Sequence, residues 1–188
     1  MNTRLSNEIN TVHWQGDSDG HLEILDQTKL PTQIKIIVCK DVPAVVESIK
    51  LLRVRGAPAI GIAGAYGMVL AVHQAVLLDD SSKKRIAYIQ QRAEELATSR
   101  PTAVNLRWAI QRIERLIVNA GEHPDCPKLS KDVLAEAKRI QEEYHHLCEK
   151  IGDYGASILP DGDLLTHCNT GALATGGIGT ALGVIVTA

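Results

Sequence analysis

Residues 51–78, LLRVRGAPAIGIAGAYGMVLAVHQAVLL, decide the fold because they join a helix-breaking turn to a long apolar helix. Gly56 and Pro58 end the helical pattern before them, and the apolar stretch that follows predicts a helix with a face of small residues. Each glycine in that helix costs up to about 1 kcal/mol relative to alanine. Such a helix needs close packing against its neighbours, which predicts a helical bundle around it.

A helix is also predicted before this stretch. Val45, Ile49 and Leu52 recur at helical spacing, Asp41 is suited to cap the helix start, and Pro43 is tolerated in the first turn.

Three more helices are predicted after it, over residues 83–97, 103–120 and about 130–154. Residues 121–130, which contain two prolines, are expected to form a linker. The apolar residues of the middle helix fall on one stripe: Leu106, Ile110, Ile113 and Ile117.

The N-terminal region predicts a small antiparallel sheet. Residues 1–20 are polar, and we expect an arm that Trp14 anchors to the core. Residues 21–31 and 32–41 are predicted to be two short extended segments, with Ile34 and Ile36 alternating with polar neighbours. Residues 1–157 therefore predict an α+β domain, a small sheet plus a helical bundle.

The pattern changes at Pro160. Residues 164–167, LLTH, are predicted to be a short buried strand, and residues 168–185 a glycine-rich turn that leads into an apolar helix. A strand, a glycine-rich loop and a helix begin a Rossmann-like α/β domain. We therefore expect residues 158–188 to start a second domain, with the rest of its sheet absent from this chain or carried by another chain.

Composition limits the classes of partner. The chain has 188 residues, 45% of them apolar, and a net charge of -2, which favours neither nucleic acid nor a membrane surface. The first residues are polar, unlike a signal peptide, and no uninterrupted apolar run approaches the roughly 20 residues that span a bilayer, so a cytoplasmic protein is expected. Four scattered cysteines and the spacing of the histidines predict free thiols and no metal site.

Two arginines precede predicted helix starts. Arg55, Gly56 and Ala57 stand at the start of the long apolar helix. Arg100 stands before the helix that begins near residue 103, for which Thr102 is the predicted N-cap. Free N–H groups at a helix start attract anions, and arginine binds phosphate through two hydrogen bonds. Spacing alone favours a simple turn at each junction, with the arginine pointing into water.

Cys168 lies at the carboxyl end of the predicted strand, where open α/β sheets bind their ligands. In a polar, glycine-rich loop it could be reactive, whereas a structural cysteine is usually buried and inert. The adjacent His167 is expected to point to the opposite face. Gly177, Gly179 and Leu182 do not complete the dinucleotide pattern G-x-G-x-x-G, so NAD binding is not expected.

Three segments carry a family resemblance: residues 51–67, residues 99–110 (SRPTAVNLRWAI) and residues 166–185 (THCNTGALATGGIGTALGVI). With residues 22–31, LEILDQTKLP, they resemble the methylthioribose-1-phosphate isomerases of methionine salvage. That superfamily also contains ribose-1,5-bisphosphate isomerases and the regulatory subunits of eukaryotic translation initiation factor 2B.

The resemblance implies a cofactor-independent aldose–ketose isomerase that is usually a homodimer. It implies that Arg55, Gly56, Ala57 and Arg100 bind the sugar phosphate and that Cys168 is the catalytic cysteine. It also implies that a catalytic aspartate and further substrate-binding residues lie in a C-terminal Rossmann-like domain missing here. We therefore expect residues 1–188 alone to be inactive. Ribose 1,5-bisphosphate isomerisation and a non-catalytic initiation-factor role remain the alternatives.

Overall fold

The computed structural model describes residues 10–78, 81–121 and 125–188. Within these ranges three strands and seven α-helices follow one another along the chain. They are β1 (Val12–Gln15), β2 (His21–Leu25), β3 (Ile36–Cys39), α1 (Val42–Lys50), α2 (Ala57–Leu77), α3 (Ser82–Thr98), α4 (Val104–Asn119), α5 (Cys126–Ile158), α6 (Ala172–Thr175) and α7 (Ala181–Thr187). A short 3-10 helix, Gln27–Lys29, follows β2.

The sheet is antiparallel with strand order β1-β2-β3, so the predicted small sheet is confirmed. Part of the expected N-terminal arm is instead β1, in which Val12 and Trp14 are buried and pair with Ile24 and Leu22 of β2. Trp14 is thus the predicted core anchor, but it sits in a strand. Residues 1–9 of the arm lie outside the described residues.

The side chains of β3 that face the core lie one residue later than the alternation of Ile34 and Ile36 predicts. Ile34 and Ile36 are 83% and 47% exposed, whereas Cys39 is buried and Ile37 packs partly against the core. Side chains alternate between faces along a strand, so a shift of one position moves the whole apolar set to the other face. Because every residue of Ile36–Cys39 is apolar, the sequence does not show which of these side chains face the core.

The long helix α2 is the centre of the core. Its residues from Ala59 to Val72 are all buried, and its glycines admit the neighbouring helices: a Cβ on Gly64 would lie 2.3 Å from Leu106 of α4. The predicted bundle is confirmed. By length and hydropathy α2 could cross a bilayer, but 78% of its most apolar 18-residue window is buried inside the fold, as in a core helix.

Tyr66 of α2 joins three elements. Its ring stacks on Trp14 of β1 at 5.4 Å between centroids, and its hydroxyl donates to Gln141 of α5 at 2.5 Å. The Gln141 amide nitrogen in turn donates to the carbonyl oxygen of Val12 at 3.1 Å. Burial raises the pKa of the Tyr66 hydroxyl, which keeps it a donor. The sheet is therefore fixed to the bundle through a buried polar chain.

The other helices follow the sequence closely. Asp41 caps α1 by accepting from the Ala44 N–H at 2.9 Å, and the predicted stripe of α4 is buried. Helix α5 begins earlier than predicted, at Cys126, so the second half of the expected linker is helical. Asp125 caps this start by accepting from the Lys128 N–H at 3.2 Å, and Pro127 is tolerated in the first turn.

The predicted strand over residues 164–167 is not formed. These residues have no regular secondary structure, and Leu165 is fully exposed. A strand is stable only beside a neighbouring strand, and the described sheet lies elsewhere in the fold. The predicted helix after it exists as α6 and α7. Helix α7 packs on α5 so closely that a Cβ on Gly155 would lie 2.4 Å from Val184.

A buried carboxylate joins α4 to α5. Glu136 is 5% exposed and binds Arg112 and Arg139, and Arg112 also binds Glu143. Burial raises the pKa of the Glu136 carboxyl, but the hydrogen bonds and charges of the two arginines outweigh this and lower the pKa below its ordinary value. The ionised cluster therefore stabilises the folded chain.

Replacing Tyr66 by phenylalanine should lower the free energy of unfolding by about 1–3 kcal/mol, because Gln141 loses its donor in a buried position. Urea unfolding at neutral pH measures the change. Tyr88→Phe is the matched control: Tyr88 also donates to a glutamine, Gln74, but at 3.1 Å and from a partly buried position. A larger loss for Tyr88→Phe than for Tyr66→Phe would contradict this assignment.

Acid should remove the contribution of Glu136. Because its pKa is lower in the folded chain, this stability is complete above the ordinary value of 4.5 and is lost as the pH falls through the depressed folded value. Glu136→Gln should weaken that acid dependence in urea unfolding between pH 7 and 3. Burial raises the pKa of Glu114, so Glu114→Gln should alter the pH dependence in the opposite sense. Equal behaviour of the two variants would refute the assignment.

Candidate active site

The Arg55–Gly56 junction follows a tight turn at the end of α1. Leu52 has a left-handed φ of 58°, and after it the Arg53 N–H donates to the carbonyl oxygen of Ser48 at 2.9 Å. This turn reverses the chain and directs it across the sheet end toward α2. Helix α1 therefore ends at Lys50, earlier than the predicted break at Gly56 and Pro58, and Leu52 is in the turn instead of the helix. Arg55 lies just before the start of α2.

Gly56 is the N-cap of α2 and has a φ of 97°, a conformation that favours glycine. Among the described residues no side chain caps this helix start, so N–H groups of the first turn remain available to an external acceptor. Arg55 and Ala57, on either side of Gly56, are exposed. An uncapped helix start can bind an anion, and the assignment of Arg55, Gly56 and Ala57 to such a site stays a prediction.

The neighbouring Arg53 has a structural role. Its guanidinium lies 3.7 Å from the buried carboxylate of Asp26 and 2.7 Å from that of Glu47. Burial raises the pKa of Asp26, but hydrogen bonds from Thr28 and the charge of Arg53 outweigh it and lower that pKa. Arg53 is thus engaged with the fold, and Arg55 is the arginine of this segment that faces solvent.

The second junction lies between α3 and α4. Arg100 is partly buried, and its carbonyl oxygen accepts from the Ala103 N–H at 2.9 Å. That turn puts Ala103 at the N-cap of α4, so the predicted cap Thr102 is wrong: it is exposed and lies one residue too early. The expected arrangement of an arginine before an uncapped helix start is nevertheless present.

Cys168 is exposed and has a left-handed φ of 68°. Left-handed backbone costs a residue with a side chain about 1–3 kcal/mol, and such strained residues concentrate at functional sites. The thiol therefore differs from that of Cys148, which is buried and whose pKa is raised by burial. Of these two cysteines Cys168 has the exposure that chemistry requires.

The loop that carries Cys168 is held against the start of α7. The Thr180 N–H donates to the carbonyl oxygen of Thr170 at 2.8 Å, and the Leu182 N–H donates to the Thr170 hydroxyl at 3.2 Å. A Cβ on Gly179 would lie 2.4 Å from the Thr170 carbonyl oxygen, so this approach requires glycine. The segment after Cys168 is therefore ordered by contacts rather than by a strand.

The junctions converge on the first two turns of α2. A Cβ on Gly56 would lie 2.3–2.5 Å from atoms of Ala174, six residues after Cys168. A Cβ on Gly61 would lie 3.1 Å from the carbonyl oxygen of Asn105, five residues after Arg100. Helix α6, in the segment that follows Cys168, thus packs directly on the Arg55–Gly56 junction. The start of α4 packs on α2 about one turn further along that helix.

Two polar residues near this site were missed by the sequence reasoning. The Thr11 hydroxyl donates to the carbonyl oxygen of Ala172 at 3.0 Å, and the Gln27 amide nitrogen donates to that of Leu173 at 2.7 Å. Because these partners are 161 and 146 residues apart, no pattern in the local sequence indicates the contacts. Within the described ranges, no group of three histidine, cysteine or acidic side chains is placed to hold a metal ion.

Comparison with known proteins shows what the chain is similar to. The Initiation factor 2 subunit family matches residues 53–188. The methylthioribose-1-phosphate isomerase of Pelotomaculum thermopropionicum is 45% identical over 178 residues, which are 94% of this chain and 48% of that protein. The 5-deoxyribose 1-phosphate isomerase of Moorella thermoacetica is 44% identical over 95% of this chain and 50% of its own length. The chain spans about half the length of these curated relatives.

Two solved structures share the fold. The delta subunit of translation initiation factor eIF-2B from A. fulgidus superposes with a TM-score of 0.81 and 38% identity, over 95% of this chain and 50% of that chain. The 5-methylthioribose 1-phosphate isomerase from Pyrococcus horikoshii OT3 gives 0.80 and 34%, over 94% and 48%. The same half-length fold therefore occurs in proteins named as an enzyme and as an initiation factor subunit.

The contact between Gly56 and Ala174 can be measured against a matched glycine. Gly121 has a similar left-handed φ of 86°, but no described atom lies within 4 Å of its missing Cβ. Gly121→Ala should cost only the backbone strain of about 1–2 kcal/mol. Gly56→Ala should cost about 1–3 kcal/mol more in urea unfolding, because the new methyl group overlaps α6. Equal losses would show that the close approach is unimportant.

Proposed function

The chain belongs to the initiation factor 2 subunit family, and from this membership we propose that it forms the N-terminal half of an aldose–ketose isomerase. The proposed reaction converts 5-methylthioribose 1-phosphate to 5-methylthioribulose 1-phosphate, a step of methionine salvage. The observation that carries the proposal is the packing of Gly56 on Ala174, which joins an anion-binding helix start to the Cys168 segment. Relatives about 45% identical carry the isomerase name.

In this proposal the substrate phosphate binds at the start of α2. The exposed Arg55 provides charge and two hydrogen bonds, and the uncapped N–H groups after Gly56 provide further donors. Glycine at position 56 lets α6 approach this helix start closely, since a Cβ there would lie 2.3–2.5 Å from Ala174. Arg100 would contribute a second positive charge from the start of α4, which packs on the same helix. The phosphate is then a fixed reference point for the sugar carbons.

Cys168 is the proposed catalytic residue of this half. During the reaction the ring bond between C1 and O4 breaks, O4 gains a proton, the hydrogen on C2 moves to C1, and the C2 hydroxyl becomes a ketone. A thiol beside C1 and C2 can exchange a proton with the substrate or stabilise the transition state. Its exposed, strained position leaves the thiol accessible, and in this proposal a substrate held at α2 meets it there.

The proposal assigns the rest of the site to residues beyond this half. Residues 158–188 would begin a Rossmann-like domain whose remaining strands pair next to residues 164–167. That domain would supply the catalytic aspartate and further substrate contacts, in a cytoplasmic homodimer. The exposure of Leu165 and the absence of a strand at 164–167 are consistent with a sheet that forms only when its other strands are present.

Two further candidates rest on specific similarities. The Moorella relative carries the name 5-deoxyribose 1-phosphate isomerase. The sugar phosphate in that name differs from the proposed substrate only in the group on C5. The eIF-2B delta structure favours a non-catalytic subunit role. The Arg55 and Cys168 arrangement favours the enzyme, since an interaction subunit has no need of an exposed, strained thiol beside an anion site. Ribose 1,5-bisphosphate would need a basic pocket for its second phosphate.

A chimera tests the proposal. Residues 10–188 replace the matching half of the Pelotomaculum isomerase, and turnover of the three sugar phosphates is measured. We expect 5-methylthioribose 1-phosphate to give the highest kcat/KM. Cys168→Ser should lower kcat by about 10²–10⁴-fold, the usual contribution of acid–base catalysis, whereas Cys126→Ser, away from the site, should not.

Other outcomes decide against the proposal. Full activity of the Cys168→Ser chimera would refute the catalytic role, and preference for ribose 1,5-bisphosphate would replace the substrate. A folded chimera that turns over none of the three sugars would favour the subunit role. The chain of residues 1–188 alone should show no turnover.

A further inference from the structure

The short helix α6 depends on the N-terminal sheet. It spans only Ala172–Thr175, and a helix of one turn has little stability of its own. The carbonyl oxygens of its first two residues accept hydrogen bonds from side chains at the edge of the sheet: Thr11 to Ala172 and Gln27 to Leu173. Thr11 is completely buried. The sheet thus contacts the segment after Cys168 through hydrogen bonds of defined geometry.

The same end of the sheet also holds the arginine segment. The backbone N–H of Gln27 donates to the carbonyl oxygen of Arg53 at 2.9 Å, and the Arg53 side chain pairs with the buried Asp26. Gln27 therefore contacts both segments of the candidate site, one through its backbone and the other through its side chain. The two segments are 120 residues apart in sequence if counted from Arg53 to Leu173.

The Gln27 side chain is not explained by packing alone. Its carbonyl oxygen Oε1 is buried and has no hydrogen-bond partner among the described residues. A buried acceptor without a donor costs free energy, which an apolar side chain of the same size would avoid. The contribution that only an amide makes here is the 2.7 Å hydrogen bond from Nε2 to Leu173. That bond is therefore the functional reason for glutamine at this position.

We propose that Thr11 and Gln27 are positioning residues for the reaction. They act through the backbone: by fixing α6 to the sheet end that also fixes Arg53, they set the distance between the anion-binding helix start at Gly56 and the thiol of Cys168. This inference rests on the proposed function for its catalytic meaning. Its structural part, the dependence of α6 on the two side chains, can be tested without any substrate.

Hydrogen exchange of the 188-residue chain tests the structural part. The amides of Ala174 and Gly176 form the internal hydrogen bonds of α6. Thr11→Val and Gln27→Leu, which keep the side-chain size, should raise exchange at these amides at least tenfold. Thr11→Ser, which keeps the hydroxyl, should restore slow exchange. Tyr88→Phe, which loses a hydrogen bond between α3 and α2, should leave α6 unchanged.

Unchanged exchange of α6 in both Thr11→Val and Gln27→Leu would overturn the inference, and so would equal loosening of α6 in Tyr88→Phe. If Thr11→Val does not fold, the partly buried Gln27→Leu decides the question alone. None of these readings involves isomerase activity, so they stand even if the proposed function fails.

Steady-state kinetics of the chimera tests the catalytic part. Because the phosphate site on α2 is intact in both variants, KM should stay within about threefold of the parent value while kcat falls at least tenfold. Thr11→Ser should recover most of kcat. An inactive parent chimera would count against the proposed function alone. An active parent whose variants keep full kcat despite faster exchange in α6 would overturn the positioning role.

Discussion

The close approach of α2 to its neighbours is the constraint on which the rest of the structure depends. Glycines on this helix let the Leu106 side chain and the Asn105 backbone of α4 come within contact distance, and α6 reaches Gly56 in the same way. Glycine weakens a helix taken alone, so α2 is helical because the surrounding elements bury it. The feature that disfavours the helix locally is therefore what allows the functional segments to meet.

The sequence predicted those parts of the fold that have a local cause. The cap at Asp41, the apolar stripe of α4 and the small-residue face of α2 are each written in neighbouring residues, and each is present. The strand over residues 164–167 was predicted from an apolar run alone and is not formed, because a strand requires partners that local sequence does not provide. The alternation predicted for β3 was wrong for a similar reason: Ile36–Cys39 is apolar on both faces, so local sequence does not show which face is buried.

The residues of the candidate site were also predicted only where the local sequence indicates them. Residue types and helix starts indicated Arg55, Gly56 and Arg100 as anion-binding candidates and Cys168 as a thiol in a loop, but spacing could not show that any of them meet. The contact between Gly56 and Ala174 depends on the whole bundle. Thr11 and Gln27 were invisible because a side chain that donates to a distant backbone carbonyl leaves no pattern in its own neighbourhood.

These long-range contacts explain how residues 10–188 hold the segments of the candidate site in fixed positions. The segments that fix α6 and the Cys168 loop all lie within residues 10–188: Thr11 and Gln27 donate hydrogen bonds to α6, the start of α7 donates one to Thr170, and Gly56 lets α6 pack closely. These contacts therefore fix the helix start at Gly56 and the segment after Cys168 relative to each other within the described residues. Preorganised groups lose little entropy when a ligand binds, so in the proposed enzyme the phosphate-binding residues and Cys168 would already be in place when the substrate arrives.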